Sequence, residues 1–215
     1  MRVELFGVMS NAQETYFSFF SLPPKLVIDT SALEKRFYAL SRRLHPDRFA
    51  GKPAAEQEAA LAESSRLNDA YRTLKEPIAR TEYLLKLEGV ELEEQSKAAT
   101  EAARTTGVTK KQIVPPDLLE EAFELNMQLE EMRMAKKTGE DDPQLRKDLL
   151  AAKAGFDAKM AETQAELEGH WAKWDAGVDS DDATAKIAAR DGMVALLNRR
   201  SYLRNLVRDV NEALE

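Results

Sequence analysis

Apolar residues along this chain recur at intervals of three and four, the period of a helix with one buried face, and runs of alternating β-branched residues are missing. The pattern predicts an all-α protein. A short helical stretch near Glu14 to Ser21 is stopped by Leu22-Pro23-Pro24, because proline disfavours a helical conformation in the residue before it. A second helix starts after Asp29-Thr30-Ser31, where a side-chain oxygen caps free amides, and carries Leu33, Phe37, Leu40 and Leu44 on one face. It ends at His45-Pro46-Asp47, since Pro46 cannot continue the hydrogen-bond ladder. A third begins at about Ala54, with Ala60, Ser64, Leu67, Tyr71 and Leu74 in helical register. These two pair as an antiparallel hairpin around the loop from His45 to Lys52, and Pro77 opens a fourth helix to about Leu87.

From Gly89 to Gln112 large apolar residues thin out while Glu, Lys, Ala and Thr dominate, which reads as a solvated, partly helical linker and a domain boundary. The expected organisation is a lead over residues 1–13, a first domain over 14–89, a linker over 90–114 and a second domain over 115–215. Beyond Pro115-Pro116 one helix carries Leu118, Ala122, Leu125, Leu129 and Met132, and a longer one carries Leu145, Leu149, Ala152, Phe156, Met160, Thr163 and Leu167. A third, from about Ala183, carries Met193, Leu196, Leu203, Val207, Val210 and Leu214. Joined by polar turns at Thr138 to Pro143 and Asp175 to Asp182, the three form an antiparallel bundle. The segment His170-Trp171-Ala172-Lys173-Trp174 reads as the cap of a core.

Composition narrows the chemistry. The 215 residues contain no cysteine and two histidines, His45 and His170, so thiolate metal sites and disulfides are excluded and no metalloprotease-type pair exists. No metal or cofactor is expected. A metal hydrolase built on His45, Asp47 and His170 would need ligands that the sequence does not group. No apolar run approaches the ~18 residues of a membrane helix, and Met1-Arg2-Val3-Glu4 opens neither a signal peptide nor an Arg-rich transit sequence, so no membrane contact is expected. The net charge of -7 argues against nucleic acid as the main partner. Charge is also divided: residues 14–90 hold 12 Lys/Arg against 11 Asp/Glu, whereas residues 91–215 hold 18 against 26, so the two halves suit different partners.

His-Pro-Asp alone is a weak signal, and a Pro-Asp turn is ordinary loop chemistry. Here it lies in the loop of a helical hairpin, follows a basic helix, and precedes Leu67-Asn68-Asp69-Ala70-Tyr71-Arg72-Thr73-Leu74. This combination, over residues 14–89, resembles a J-domain, the module that activates DnaK-class chaperone ATPases. The resemblance implies that His45, Pro46 and Asp47 are the essential triplet, and that Lys35, Arg36, Arg42, Arg43 and Arg48 dock on the chaperone. Asp47 would disturb contacts within the chaperone so that the chaperone's own site hydrolyses ATP, and this chain would not be an enzyme.

The glycine-rich and zinc-binding segments of general J-proteins do not follow. Instead Tyr16-Phe17, Pro77-Ile78-Ala79-Arg80-Thr81-Glu82-Tyr83-Leu84-Leu85 and Leu118-Leu119-Glu120-Glu121 resemble the HscB family of co-chaperones in iron–sulfur cluster biogenesis. That family's C-terminal bundle binds the scaffold protein IscU and delivers it to an HscA-type chaperone. On the helix after Pro116, Leu119, Phe123 and Met127 form a second apolar stripe about 100° from the first, facing either a partner or the other bundle helices. The resemblance assigns scaffold contact to Leu119, Phe123, Glu124, Met127, Glu131 and Tyr202. Glu120 stands where the family pattern has an apolar residue, Met127 where it has an acid, and the linker is longer than in compact members. A bacterial cytoplasmic member, or a trimmed mitochondrial form, fits this reading; a J-domain co-chaperone with another client is the alternative.

Overall fold

A computed structural model describes residues 14–90, 92, 114–140 and 142–215. The lead over residues 1–13 and nearly all of the linker lie outside the described residues, as does the partial helicity expected of the linker. Among the described residues the fold is all-α, with α1 (Tyr16–Phe19), α2 (Thr30–Leu44), α3 (Ala54–Lys75), α4 (Pro77–Leu87), α5 (Leu119–Thr138), α6 (Pro143–Ser180) and α7 (Ala183–Leu214). None of these helices is long and apolar enough to cross a membrane. The chain divides into two compact units within α4, the first ending at Leu84 and the second starting at Leu85. The helix itself runs unbroken from Pro77 through the buried Leu84 and Leu85 to Leu87.

In the first unit, α1 is shorter than the sequence suggests. Thr15 caps it by accepting from the Ser18 amide, and Ser21 ends it in a left-handed conformation (φ 51°), letting the Leu22 amide donate to the Phe17 carbonyl at 2.8 Å. The chain therefore turns before the two prolines rather than at them. Asp29 caps α2 through the amides of Ser31 and Ala32. Phe17, Phe20, Leu26, Leu33, Leu67 and Leu74 make the core, each side chain worth roughly 1.5–3 kcal/mol on burial. Tyr83 stacks on Tyr16 at 4.5 Å and accepts the Tyr16 amide through its hydroxyl, while Arg66 holds Glu14 at 2.6 Å, so α1 is tied to both α3 and α4.

The second unit is a long α6–α7 hairpin with α5 laid along part of it. With a rise of ~1.5 Å per residue, α5 spans roughly 30 Å and α6 roughly 57 Å, so the bundle is three-helical over only about half its length. There Leu118, Leu125, Leu129, Leu149, Phe156, Leu203 and Val210 form one buried cluster. Arg146 donates to the Leu214 carbonyl at 3.2 Å and fixes the antiparallel register. The polar turn expected from Asp175 to Asp182 is much tighter: α6 continues through Asp175 and Gly177 to Ser180, and Asp181 alone turns the chain at φ 53°. Burial of Trp171, Trp174 and Asp175 keeps the helix going, and Gly177 has no Cβ to strike Lys186, whose Cγ would stand 3.0 Å from it.

Further along the hairpin, Gly192 makes room for His170; a Cβ there would lie 2.1 Å from the imidazole Cε1. Overpacking of this kind costs about 1–3 kcal/mol, against a helix-propensity gain of about 0.5–1 for alanine over glycine. Gly192→Ala is therefore expected to lower stability in urea unfolding, and to raise it in a His170→Ala background. Burial pushes the His170 pKa below its ordinary value, with Lys173 acting in the same direction and Glu166 opposing. Because the folded value lies below the unfolded one, the unfolded chain takes up this proton first, and stability falls as pH drops below about 6.5 through the depressed folded value. Urea midpoints measured from pH 7 to pH 5 should lose that component in His170→Gln.

Candidate functional site

At the hairpin tip, Pro46 opens a 3-10 turn (Pro46–Phe49), where its fixed φ suits the first helical position. His45 caps this turn: its Nδ1 accepts the Asp47 amide at 3.3 Å and its carbonyl accepts the Arg48 amide at 3.0 Å. The first of these bonds places the neutral ring's proton on Nε2. Arg48 donates to the Arg42 carbonyl at 3.2 Å, and Gln57 on α3 donates to the carbonyls of Ala50 and Lys52. The loop is thus closed on both helices. Asp47 stands at the tip with its side chain 88% exposed, Oδ2 lying 3.4 Å from His45 Nδ1. Its carboxylate is oriented by the turn yet open to a partner.

Lys35, Arg42 and Arg43 are exposed along α2 and lead to this tip. Arg36 differs from the other cations. Its guanidinium donates to the carbonyls of Phe20 at 2.6 Å and Ser21 at 3.0 Å, where the left-handed turn after α1 leaves acceptors open. The family resemblance sets Arg36 among the docking cations, and periodicity along the sequence does not reveal its bonds to carbonyls fifteen and sixteen residues away. The sequence reading missed Tyr38, which is 54% exposed; at ~100° per residue it shares the face of Lys35 and Arg42. Aromatic residues on exposed faces are common anchors of interfaces.

On α5, the core stripe Leu118, Ala122, Leu125, Leu129 and Met132 is buried, while Leu119, Phe123 and Met127 are 59, 65 and 60% exposed. Met134, missed by the sequence reading, extends this row at 52% exposure. Glu120, Glu124 and Glu131 are exposed on its flank. Tyr202 needs correction as an expected surface contact: it is 6% exposed and belongs to the buried cluster that holds Leu118 and Leu203. Burial raises its phenol pKa, and Asp209 adds to the effect. The last helix turns Tyr202 inward because it lies next to Leu203 on the stripe that α5 covers.

Among the described residues no three His, Cys, Asp or Glu side chains are grouped to hold a metal ion. His45 and His170 belong to different units.

A helical hairpin bearing His-Pro-Asp at its tip is followed along the chain by an antiparallel helical bundle. Among solved structures the chain is similar to the human co-chaperone HscB, with 23% identity over 94% of this chain and 83% of that one and a TM-score of 0.58. It is also similar to the chaperone HscB from Vibrio cholerae (25% identity, 89% of this chain and 96% of that one, TM-score 0.49). The Jac1 co-chaperone from Saccharomyces cerevisiae is a further neighbour (22% identity, 93% of this chain and 96% of that one, TM-score 0.43). No protein-family model matches. The chain has the HscB fold.

The contacts of Arg36 separate it from the other α2 cations in a way that stability measures. Arg36→Ala is expected to lower unfolding stability by about 1 kcal/mol, since two carbonyls lose a charged donor. Arg42→Ala should stay within about 0.5 kcal/mol of the wild type, as most exposed substitutions do. Urea unfolding of both variants checks this.

Proposed function

We propose that this protein is a J-type co-chaperone of iron–sulfur cluster biogenesis that stimulates ATP hydrolysis by an HscA/DnaK-class chaperone and delivers the scaffold protein IscU to it. The observation that carries this reading is the pairing, on one chain, of an exposed Asp47 at a cation-flanked hairpin tip with an exposed apolar row on α5. Lys35, Arg42, Arg43 and Arg48 steer encounter with an acidic chaperone surface, which raises the association rate more than the affinity. Asp47 then offers one positioned carboxylate to an arginine of the chaperone. Leu119, Phe123 and Met127 supply the apolar centre of the scaffold contact, with Glu124 and Glu131 as its acidic rim. Hydrolysis takes place in the chaperone, and the co-chaperone contributes binding and geometry. The reading places it in the bacterial cytoplasm, or in the mitochondrial matrix as a trimmed form.

A second reading, a J-type co-chaperone for another client, draws support from the inward Tyr202 and from Met127 and Met134, which make the α5 row more apolar and more adaptable than the family pattern.

The test is steady-state ATP hydrolysis by an HscA-type chaperone titrated with this protein, with and without IscU. The expected outcome is synergy between the two, with stimulation lost in Asp47→Ala while direct IscU binding is retained. Leu119→Ala combined with Phe123→Ala should weaken IscU binding on the order of 10–100-fold and leave basal stimulation intact. Stimulation indifferent to IscU selects the second reading, and stimulation indifferent to Asp47 overturns both.

A further inference from the structure

The exposed row on α5 begins at the first residue of the helix, where free amides leave a turn prone to fraying. In the same unit, Asp142 caps α6 and Asp182 caps α7, each accepting two amides. The residue before α5 is Leu118, which has no side-chain oxygen and makes no capping bond. The helix whose first turn presents Leu119 thus lacks the local device that secures its two neighbours. Contacts from other elements stand in its place. Asp117, in the 3-10 turn Pro116–Leu118, pairs with Arg199 of α7. Leu118 is sealed in the cluster that contains Tyr202, and Glu121 pairs with Lys159 of α6 at 3.1 Å.

We propose that Arg199 is a positioning residue: through Asp117 it holds the uncapped first turn of α5 so that Leu119 and Phe123 stand preformed as a contact surface. The binding consequence rests on the functional reading above, whereas the effect on the helix does not. Ordering that turn before a partner arrives removes an entropic cost from binding. An ion pair at this level of exposure is modest, so the expected effects are about two- to fivefold. The carboxylate of Asp117 also favours the positive end of the α5 dipole, so the pair must be separated from that effect by a double-mutant cycle.

Amide hydrogen exchange on the free, full-length protein reads the helix directly. Exchange at Phe123 and Glu124, the first α5 amides able to bond within the helix, should speed about two- to fivefold in Arg199→Gln. It should remain near wild type in Arg199→Lys, which keeps a cation. Asp117→Asn combined with Arg199→Gln should exchange no faster than the faster single variant. IscU affinity, measured by calorimetry, should fall by a similar factor in Arg199→Gln and recover in Arg199→Lys. Unchanged exchange in Arg199→Gln overturns the proposal, including the case where IscU affinity falls anyway, since Arg199 would then act on the partner directly. If wild-type protein does not bind IscU, the scaffold reading fails while the exchange data still decide the role of Arg199.

Discussion

The second unit depends on how much of α5 its neighbours can cover. A helix laid on a two-helix hairpin buries the side that faces the groove and no more, and Leu118, Ala122, Leu125, Leu129 and Met132 are the residues buried on that side. Leu119, Phe123 and Met127, a turn apart on the far side, have nothing left to pack against and face water. Leaving three large apolar side chains exposed in a row forgoes several kcal/mol of burial, a loss that contact with another protein would recover. The same packing turns Tyr202 inward and brings Arg199 to Asp117. Burial of one stripe therefore creates the surface and the framework that supports it.

The hairpin of the first unit presents its chemistry differently. There the exposed feature is a single charge, and the surrounding bonds orient its backbone rather than neutralise it. His45 and Pro46 shape the turn, Arg48 and Gln57 close it onto α2 and α3, and Asp47 keeps its carboxylate in solvent. A rigid loop carrying one accessible acid beside a row of cations suits recognition by a charged partner surface. An apolar row with an acidic rim suits a partner of another kind. The division of charge between the two halves of the sequence thus has a counterpart in the two exposed surfaces.

Much of the architecture was legible in the sequence because it rests on local rules. Asp29 ahead of α2, Pro46 at the loop and Pro77 at the start of α4 act within a turn of their own positions. The core stripe of α5 followed from its period. The shortened α1 and the extended α6 were not legible in that way. Ser21 adopts a left-handed conformation that its residue type does not advertise. Asp175 and Gly177 read as turn residues until neighbouring helices bury the one and press against the other.

The sequence by itself determined the helical class, the His-Pro-Asp hairpin, the division of charge and the presence of two apolar stripes on α5, since each is encoded by residues within a few turns of one another. Tertiary structure decided which stripe is buried, that Arg36 serves the α1–α2 connection, that Tyr202 belongs to the core, and that Arg199 reaches the start of α5. The physical reason is distance along the chain: periodicity and capping act over three or four residues, whereas Arg36 finds its carbonyls sixteen residues away and Arg199 finds its carboxylate eighty-two residues away. Such partners exist only after the helices have packed.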